Sequence, residues 1–480
     1  RELYRKPGRE ALKPPSKPLS EINNVLHKSV TDKHNSYIFL KLGVSSSQVL
    51  IVSFHAPPEN SSAAGRIQAL LDYLPDMGWM PTVLTAETNN SHNEQYSEYV
   101  VETSYPGDVH SILRQRTPFL NDEYVPQESP HLVKDDESSR TLKEKLSKNI
   151  TNSIKSAVLD TVAYPDPQRF WKNRALRQGR QLLENGEFDL IVSTSPPATA
   201  HLIGNKLANE FQIPWIADFR DLWTQYHYNE TNLIRKFFES RLQKRVVKDT
   251  THITAATEPF AEKLQSLHKK PATSIYSGFQ KMATRDLTDK FTITYTGGLY
   301  DGRRDPTKLF MAIDELESTT NVDPSNILIR FFGVQAPWLT DLIGKYDLDS
   351  TVQLTKWIPK NKILEKQKES QVLLSIQWDH PMERMVLPGK IFEYLAAQRP
   401  VLAYGGPADS VVGSILDRTS AGVKVNSVSE IMEYIETRYR EYESKGEVPY
   451  HGDKDVINSY HHKETASNFA TIFDDVNQNT

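Results

Sequence analysis

Twelve short apolar runs recur between residues 49 and 425, each four to eight residues long, apolar on both faces, and separated by helix-length segments. The first series is VLIVSF (49–54), TVLTA (82–86), FDLIVSTS (188–195), WIADF (215–219), HITAAT (252–257) and TSIYS (273–277). The second is TITYTG (292–297), ILIRFFG (327–333), VQLT (352–355), VLLSIQ (372–377), PVLAYGG (400–406) and GVKV (422–425). A strand apolar on both faces needs a layer of helices on each side, so this rhythm predicts βαβ units around parallel sheets. The strand pattern lapses over GFQKMATRDL (278–287), and 480 residues exceed one ordinary domain. The expected architecture is α/β, with two Rossmann-like doubly wound domains facing each other across a cleft. Their predicted limits are 49–280 and 281–454, preceded by a basic tail or linker at 1–48 and followed by a terminal helical segment at 455–480. Residues 1–41 carry nine Lys or Arg against four Asp or Glu, with Pro7, Pro14, Pro15 and Pro18 opposing helix. The charged, Pro-punctuated stretch 120–150 reads as a surface insertion.

Composition narrows the function. Apolar residues at 38% and charged residues at 25% exclude wholesale disorder. No window of 18 apolar residues occurs, so no transmembrane helix is expected. The absence of cysteine removes disulfides, thiolate metal sites and cysteine nucleophiles. A net charge of −4 argues against a nucleic-acid partner. RELYRKPGRE lacks the apolar core of a signal peptide.

In open α/β sheets, ligands bind beyond the carboxyl ends of the strands, at helix N-termini. Four loops in that position carry candidate chemistry. In SFHAPPENSSAAGR (53–66), the amides around Asn60, Ser61 and Ser62 can face an anion or sugar hydroxyls, and Arg66 follows on the helix; a plain helix cap from Ser61 or Ser62 is the alternative. In STSPPATAHLIG (193–204), His201 lies inside a helix and reads as a packing or capping residue before a base. In IPWIADFRDLWTQYH (213–227), Asp218, Arg220 and Asp221 crowd a strand end, as either substrate contacts or a structural ion network. In LPGKIFEYLAAQRPVLAYGG (387–406), Pro388 and Gly389 open a helix, Lys390 and Ile391 sit in its first turn, and Glu393 lies on the face of the helix mouth. A diphosphate at that N-terminus would place a ribose near Glu393, whose two oxygens can accept from both hydroxyls. Upstream, YTGGLYDGRRDPTKL (295–309) supplies Gly297, Gly298, Arg303 and Arg304, and arginine forks suit phosphate oxygens.

FHAPPENSSAAGR, FDLIVSTSPPATAHLIG, IPWIADFRDLWT, YTGGLYDGRRDP and LPGKIFEYLAAQRPVLA together resemble family 4 glycosyltransferases of the GT-B type, of the bacterial polysaccharide-assembly kind, over about 49–475. The resemblance implies an acceptor site on the first domain and a nucleotide-sugar donor on the second, with no cofactor besides that donor. It also implies a last helix crossing back to the first domain, and metal-independent transfer that retains anomeric configuration. Glu393 matches the ribose-binding glutamate, while Arg304 and Lys390 would neutralise the leaving diphosphate. The implied catalytic set is Arg304, Lys390 and Glu393. Two departures stand out. The family often has two glutamates eight apart, but Met385 stands eight before Glu393, and Glu383 is the nearest acid. Gly298 replaces the Arg common after the first strand of the donor domain. The other readings are a nucleotide-sugar 2-epimerase-like enzyme on the same fold and a non-catalytic binding module.

Two basic stretches with aromatics, RFWKNRALRQGR (169–180) and LIRKFFESRLQKRVVK (233–248), are candidates for a membrane surface; an ordinary solvated helix face is the alternative. The expected protein is cytoplasmic, with peripheral contact at the inner face of the membrane, and uses a glycan or lipid-linked acceptor.

Overall fold

The computed structural model describes residues 46–59, 61–87, 94–109, 111–112, 163–228, 232–319, 322–334 and 336–479. The basic segment before residue 46 and the charged stretch 120–150 lie outside the described residues. The first sheet holds β1 (Ser47–Ser53), β2 (Trp79–Ala86), β3 (Val100–Thr103), β4 (Leu190–Ser195), β5 (Trp215–Phe219), β6 (His252–Ala255) and β7 (Ala272–Ser274), in the order β3-β2-β1-β4-β5-β6-β7. Its helices are α1 (Ser62–Tyr73), α2 (Lys172–Asn185), α3 (Thr199–Phe211), α4 (Leu233–Val247) and α5 (Glu258–His268).

The second sheet holds β8 (Phe291–Thr296), β9 (Ile327–Phe332), β10 (Val352–Thr355), β11 (Val372–Ile376), β12 (Val401–Tyr404) and β13 (Gly422–Val425), in the order β10-β9-β8-β11-β12-β13. Around it lie α6 (Thr307–Thr319), α7 (Pro337–Lys345), α8 (Lys360–Lys368), α9 (Lys390–Ala397), α10 (Val411–Thr419) and α11 (Val428–Lys445). Two more helices, α12 (Lys454–Asn458) and α13 (His462–Gln478), end the described chain.

The central strands are buried on both faces, as their sequences require. Val49, Leu50, Ile51 and Val52 are all fully buried, and so are Phe291, Ile293 and Tyr295. Each such side chain contributes roughly 1.5–3 kcal/mol by leaving water. The register runs parallel, with Ile51 opposite Val192 and Tyr295 opposite Leu374. Helices press closely on the strands: a Cβ placed on Gly204 of α3 would lie 2.8 Å from the Ser193 Cβ of β4.

All twelve apolar runs contain a strand, though the TSIYS run becomes strand only at its start. The thirteenth strand, β3, has no apolar run. It is the sheet edge beyond β2, where only Thr103 is fully buried, so little selects for apolar residues on both faces. α13 packs into the first domain: Ala466, Phe469 and Phe473 share a buried cluster with Val49, Ile51 and Ile216. Trp79 stacks edge-on against Phe473 and donates from Nε1 to Asp474 at 2.9 Å.

The strand orders position the site. In the first sheet the winding reverses between β1 and β4, and in the second between β8 and β11. At such a switch point, neighbouring loops leave in opposite directions and open a crevice at the strand ends. Sequence alone predicted strands but could not order them; the observed order puts residues 54–59 and 196–198 at one crevice, and 297–306 and 377–389 at the other.

Candidate active site

The crevice of the second domain is cationic. Directly after β8 comes Gly297, whose φ of 103° is open to glycine at no steric cost and whose N–H donates to Phe332 O at 2.9 Å. The loop then folds back, with Arg304 N donating to Leu299 O at 3.0 Å. Gly298 is exposed, and its carbonyl accepts from the Tyr295 hydroxyl at 2.8 Å. Arg304 is buried, with its guanidinium 4.4 Å from the Tyr300 ring centre. Its Nη2 lies 3.4 Å from the Tyr228 hydroxyl, and its Nε is buried without a hydrogen-bond partner. Burial works against the charge of this arginine, but the phenols of Tyr295, Tyr228 and Tyr300, with Glu383, outweigh it and raise the pKa. Arg303 donates to Tyr228 O at 3.3 Å and sits 4.8 Å above Trp378.

Facing these arginines, Lys390 opens α9. Its ammonium donates to Thr296 O at 2.9 Å and lies 3.6 Å from the Tyr295 ring centre. Burial first, then the neighbouring Arg304, pushes its pKa well below the ordinary lysine value, with Glu393 acting in the opposite sense. No side chain caps the start of α9 at Gly389. Of the residues around this helix mouth, Ile391 is fully buried in the core, so its backbone alone borders the crevice along with Pro388 and Gly389. Glu393, one turn in, is partly exposed; its Oε2 accepts from Gln367 at 2.9 Å, and its Oε1 is 3.6 Å from Lys360 Nζ.

The crevice of the first domain is built differently. The N-terminus of α3 is already occupied: Asp166 accepts from Thr199 N at 2.6 Å and from the Thr199 hydroxyl at 2.8 Å. Burial raises the pKa of that carboxyl to about 6, against the Thr199 and Gln168 hydrogen bonds. α1 is capped by Ser61, which accepts from Ala64 N at 3.1 Å; Ser62 opens that helix, and Asn60 lies outside the described residues. An anion at a helix mouth therefore meets competition in the first domain and an open position at α9 in the second.

Three residues read as cleft candidates turn inward. Arg66 and Asp218 are each 1% exposed and form a two-bond pair at 2.7 and 3.0 Å. Asp218 also accepts from Thr194 and Thr254, both at 2.7 Å, while Arg66 donates to Ile275 O at 2.7 Å. Every oxygen and nitrogen of this pair has a partner, so it serves as a strut between α1, β5 and the end of β7, and Asp218 is not paired with Asp221. His201 is fully buried, with Nδ1 2.8 Å from Ser193 Oγ and its ring 4.4 Å from that of Phe219. Burial lowers its pKa to about 3, so it remains a neutral packing group.

Arg220 and Asp221 do reach the crevice. Arg220 donates to Pro196 O, and its Nε is buried without a partner. Burial lowers the Arg220 pKa and raises that of Asp221, each partly offset by the other. Buried unpartnered donors are uncommon and cost about 1–3 kcal/mol each. One guanidinium Nε in this condition sits at each crevice.

Several residues of the site escaped the sequence reading. His227 Nε2 lies 3.0 Å from the accepting Oε1 of the buried Glu383, and its ring stacks on His380 and Trp378, with ring centres 4.7 and 5.4 Å away. Tyr228 lies 5.0 Å from Tyr300. Thr257 donates to Met385 O at 3.0 Å. These contacts join loops of the first domain to both switch-point loops of the second. His55, in the first crevice, pairs with Glu59 at 2.8 Å. The available signal was QYHY (225–228), in the loop after β5, and QWDH (377–380), directly after β11, two clusters of aromatics and imidazoles.

Residues 153–274 match a family model described as a glycosyl transferase 4-like domain. No curated protein matches the chain in sequence. Among solved structures, the chain is similar to sucrose-phosphate synthase from Thermosynechococcus elongatus, with 11% identity, 90% of this chain and 100% of that chain covered, and a TM-score of 0.54. It is also similar to Anabaena HepE in complex with UDP-glucose, with 10% identity, 89% and 99% covered, and a TM-score of 0.55. OtsA gives 13% identity, 89% and 99% covered, and a TM-score of 0.54. The two facing Rossmann-like domains are thus the GT-B fold. Together these comparisons make the chain GT-B in fold and glycosyl transferase 4-like over the matched segment. The match falls on α2 to β7 of the first domain and is of the family 4-like kind.

Proposed function

We propose that the protein transfers a sugar from a nucleotide-diphosphate sugar, held in the second crevice, to a glycan or lipid-linked saccharide in the first, in surface polysaccharide biosynthesis. The observation carrying this reading is the assembly of Arg303, Arg304 and Lys390 around an uncapped helix mouth, with Glu393 one turn further along the same helix. Three cations and helix amides suit a diphosphate, and a carboxylate that still reaches solvent suits a ribose. UDP-glucose is bound by HepE, and a donor of that general class is proposed here, with base and sugar left open.

When the bond between the anomeric carbon and the phosphate oxygen breaks, negative charge grows on the diphosphate. Arg304 and Lys390 are held in place before that happens, Arg304 by aromatic faces and Lys390 by Tyr295 and Thr296 O, so they stabilise the charge with little reorganisation. Charge neutralisation by side chains is consistent with metal-independent transfer, and retention of configuration is proposed with it. Arg220, Asp221 and the Ser61 loop are the proposed acceptor contacts.

The test has two stages. Thermal shift against UDP, GDP, CDP, ADP and dTDP, with and without Mg²⁺, should show stabilisation by one nucleotide in both conditions; a ligand at 100 times its Kd adds about 2.7 kcal/mol. Glu393→Ala should then raise the donor KM about tenfold or more, for the loss of one charged hydrogen-bonding group. Unchanged kinetics in that variant would remove Glu393 from the donor site, and no response to any nucleotide would overturn the reading as a whole.

A further inference from the structure

Eight large hydrophobic side chains are exposed among the described residues, and four of them fall in six positions at the start of α4: Leu233, Ile234, Phe237 and Phe238, between 53% and 84% exposed. Their i, i+1, i+4, i+5 spacing makes a single stripe. A surface helix ordinarily turns such a stripe toward the core. α4 does the reverse. Its inward face is polar and anchored over the middle turns, where Arg235 bonds Glu239 at 2.7 Å and the buried Gln243 accepts from the Thr224 hydroxyl at 2.7 Å, and it meets the apolar core only further along, through Leu242, Val246 and Val247. The outward apolar stripe is therefore not a misplaced core.

The charges on the same helix have one sign. Lys236, Arg241, Lys244 and Arg245 are exposed, whereas the helix's acid, Glu239, is buried and paired. The Arg241 guanidinium lies 4.5 Å over the Phe237 ring, and a concavity of about 590 Å³ opens between Lys236, Phe237, Arg241, Lys244, Thr224 and Gln225. The basic stretch on α2 contrasts with this. There Trp171 and Leu176 are buried, and Arg180 is paired with Glu210, so it is an ordinary solvated face.

We propose that the outer face of α4 docks on an anionic lipid bilayer, with Leu233, Ile234, Phe237 and Phe238 below the headgroups and the four cations at the level of the lipid phosphates. Apolar insertion combined with unopposed positive charge is the chemistry of an interfacial helix. The centre of a protein–protein interface is depleted in charge, and a second copy related by two-fold symmetry would bring these cations against one another. The proposal depends on the helix alone and stands whether or not the donor assignment holds.

Flotation of the full chain with vesicles tests it. Wild type should float with phosphatidylcholine vesicles containing phosphatidylglycerol, and bind those of phosphatidylcholine alone about tenfold more weakly. Salt at about 1 M, where the screening length falls to about 3 Å, should weaken binding. Phe237→Ser with Phe238→Ser should reduce partition about tenfold or more, and Lys236→Gln with Arg241→Gln and Lys244→Gln should abolish the preference for anionic lipid. These side chains face solvent, so an unchanged melting temperature certifies the fold. Absence of wild-type flotation, or equal flotation of the variants, overturns the proposal. So does a wild-type dimer that the phenylalanine variant splits without any lipid binding, which would make the stripe a protein interface.

Discussion

Asp218→Ala removes the anion from a site where the Arg66 guanidinium is 1% exposed. Four bonds go with it: two from Arg66 at 2.7 and 3.0 Å, and those from the Thr194 and Thr254 hydroxyls. Arg66 keeps Ile275 O and the face of Phe469 at 4.9 Å, neither of which neutralises its charge. Breaking a buried pair on one side costs about 3–5 kcal/mol. For a domain of this size, each kcal/mol shifts Tm by about 2–4 °C, so Tm should fall about 6–20 °C. The assay is urea unfolding followed by tryptophan fluorescence, since Trp79, Trp171 and Trp215 are all buried in the first domain. Replacing both partners by apolar residues, Arg66→Met with Asp218→Leu, should cost less than Asp218→Ala alone, because no charge remains stranded. The pKa of Asp218 is lowered, with burial opposed by Arg66 and the threonine hydroxyls. Its stabilising contribution is therefore present above the unfolded carboxylate pKa, near 3.9, and lost as the pH falls through the lower folded value. The gap between wild type and variant should persist from pH 7 to about pH 4 and close only below that. A loss under about 1 kcal/mol, accompanied by a changed acceptor KM, would refute the strut and return the pair to acceptor binding.

Three other outcomes are expected. His201 titrates at about 3 in the fold against 6.5 for an unperturbed imidazole, so its burial is a liability that grows as pH drops below 6.5. Between pH 7 and 5 wild type should lose about 2 kcal/mol that His201→Gln does not, read by urea midpoints at both pH values. Lys390→Ala removes one of the groups facing the proposed diphosphate, so the nucleotide Kd should rise about tenfold or more by calorimetry, and an unchanged Kd would take Lys390 out of the site. Glu383→Ala strips His227 of its buried partner across the domain junction and should lower kcat/KM about tenfold, matching a buried hydrogen bond of about 1–3 kcal/mol; an unchanged value would mean that this contact does not set the domain arrangement.

Local chemistry wrote much of this protein into its sequence. A parallel strand covered on both faces must be apolar on both faces, so β1, β4, β8, β11 and β12 could be read without their neighbours, whereas the half-covered edge strand β3 could not. The helix mouth at Pro388, Gly389 and Lys390 was equally legible, because N-terminal turn chemistry acts over only a few residues. Pairing across long sequence distances was not legible. Asp218 and Arg66 are 152 residues apart, and nothing local distinguishes a buried strut from a ligand contact in the sequence around either one. His227 and Glu383 meet across 156 residues, in loops that look ordinary singly. The same limit applied to the two basic stretches: α2 and α4 read alike along the chain, and only packing turned Trp171 into the core while leaving Phe237 and Phe238 in solvent. The sequence by itself thus determined which segments become strands, which helices follow them and which loops carry charge, because those depend on neighbours a few residues away. Tertiary structure alone decided which charges are spent on each other and which remain at the crevices, because burial and pairing depend on groups brought together from distant parts of the chain.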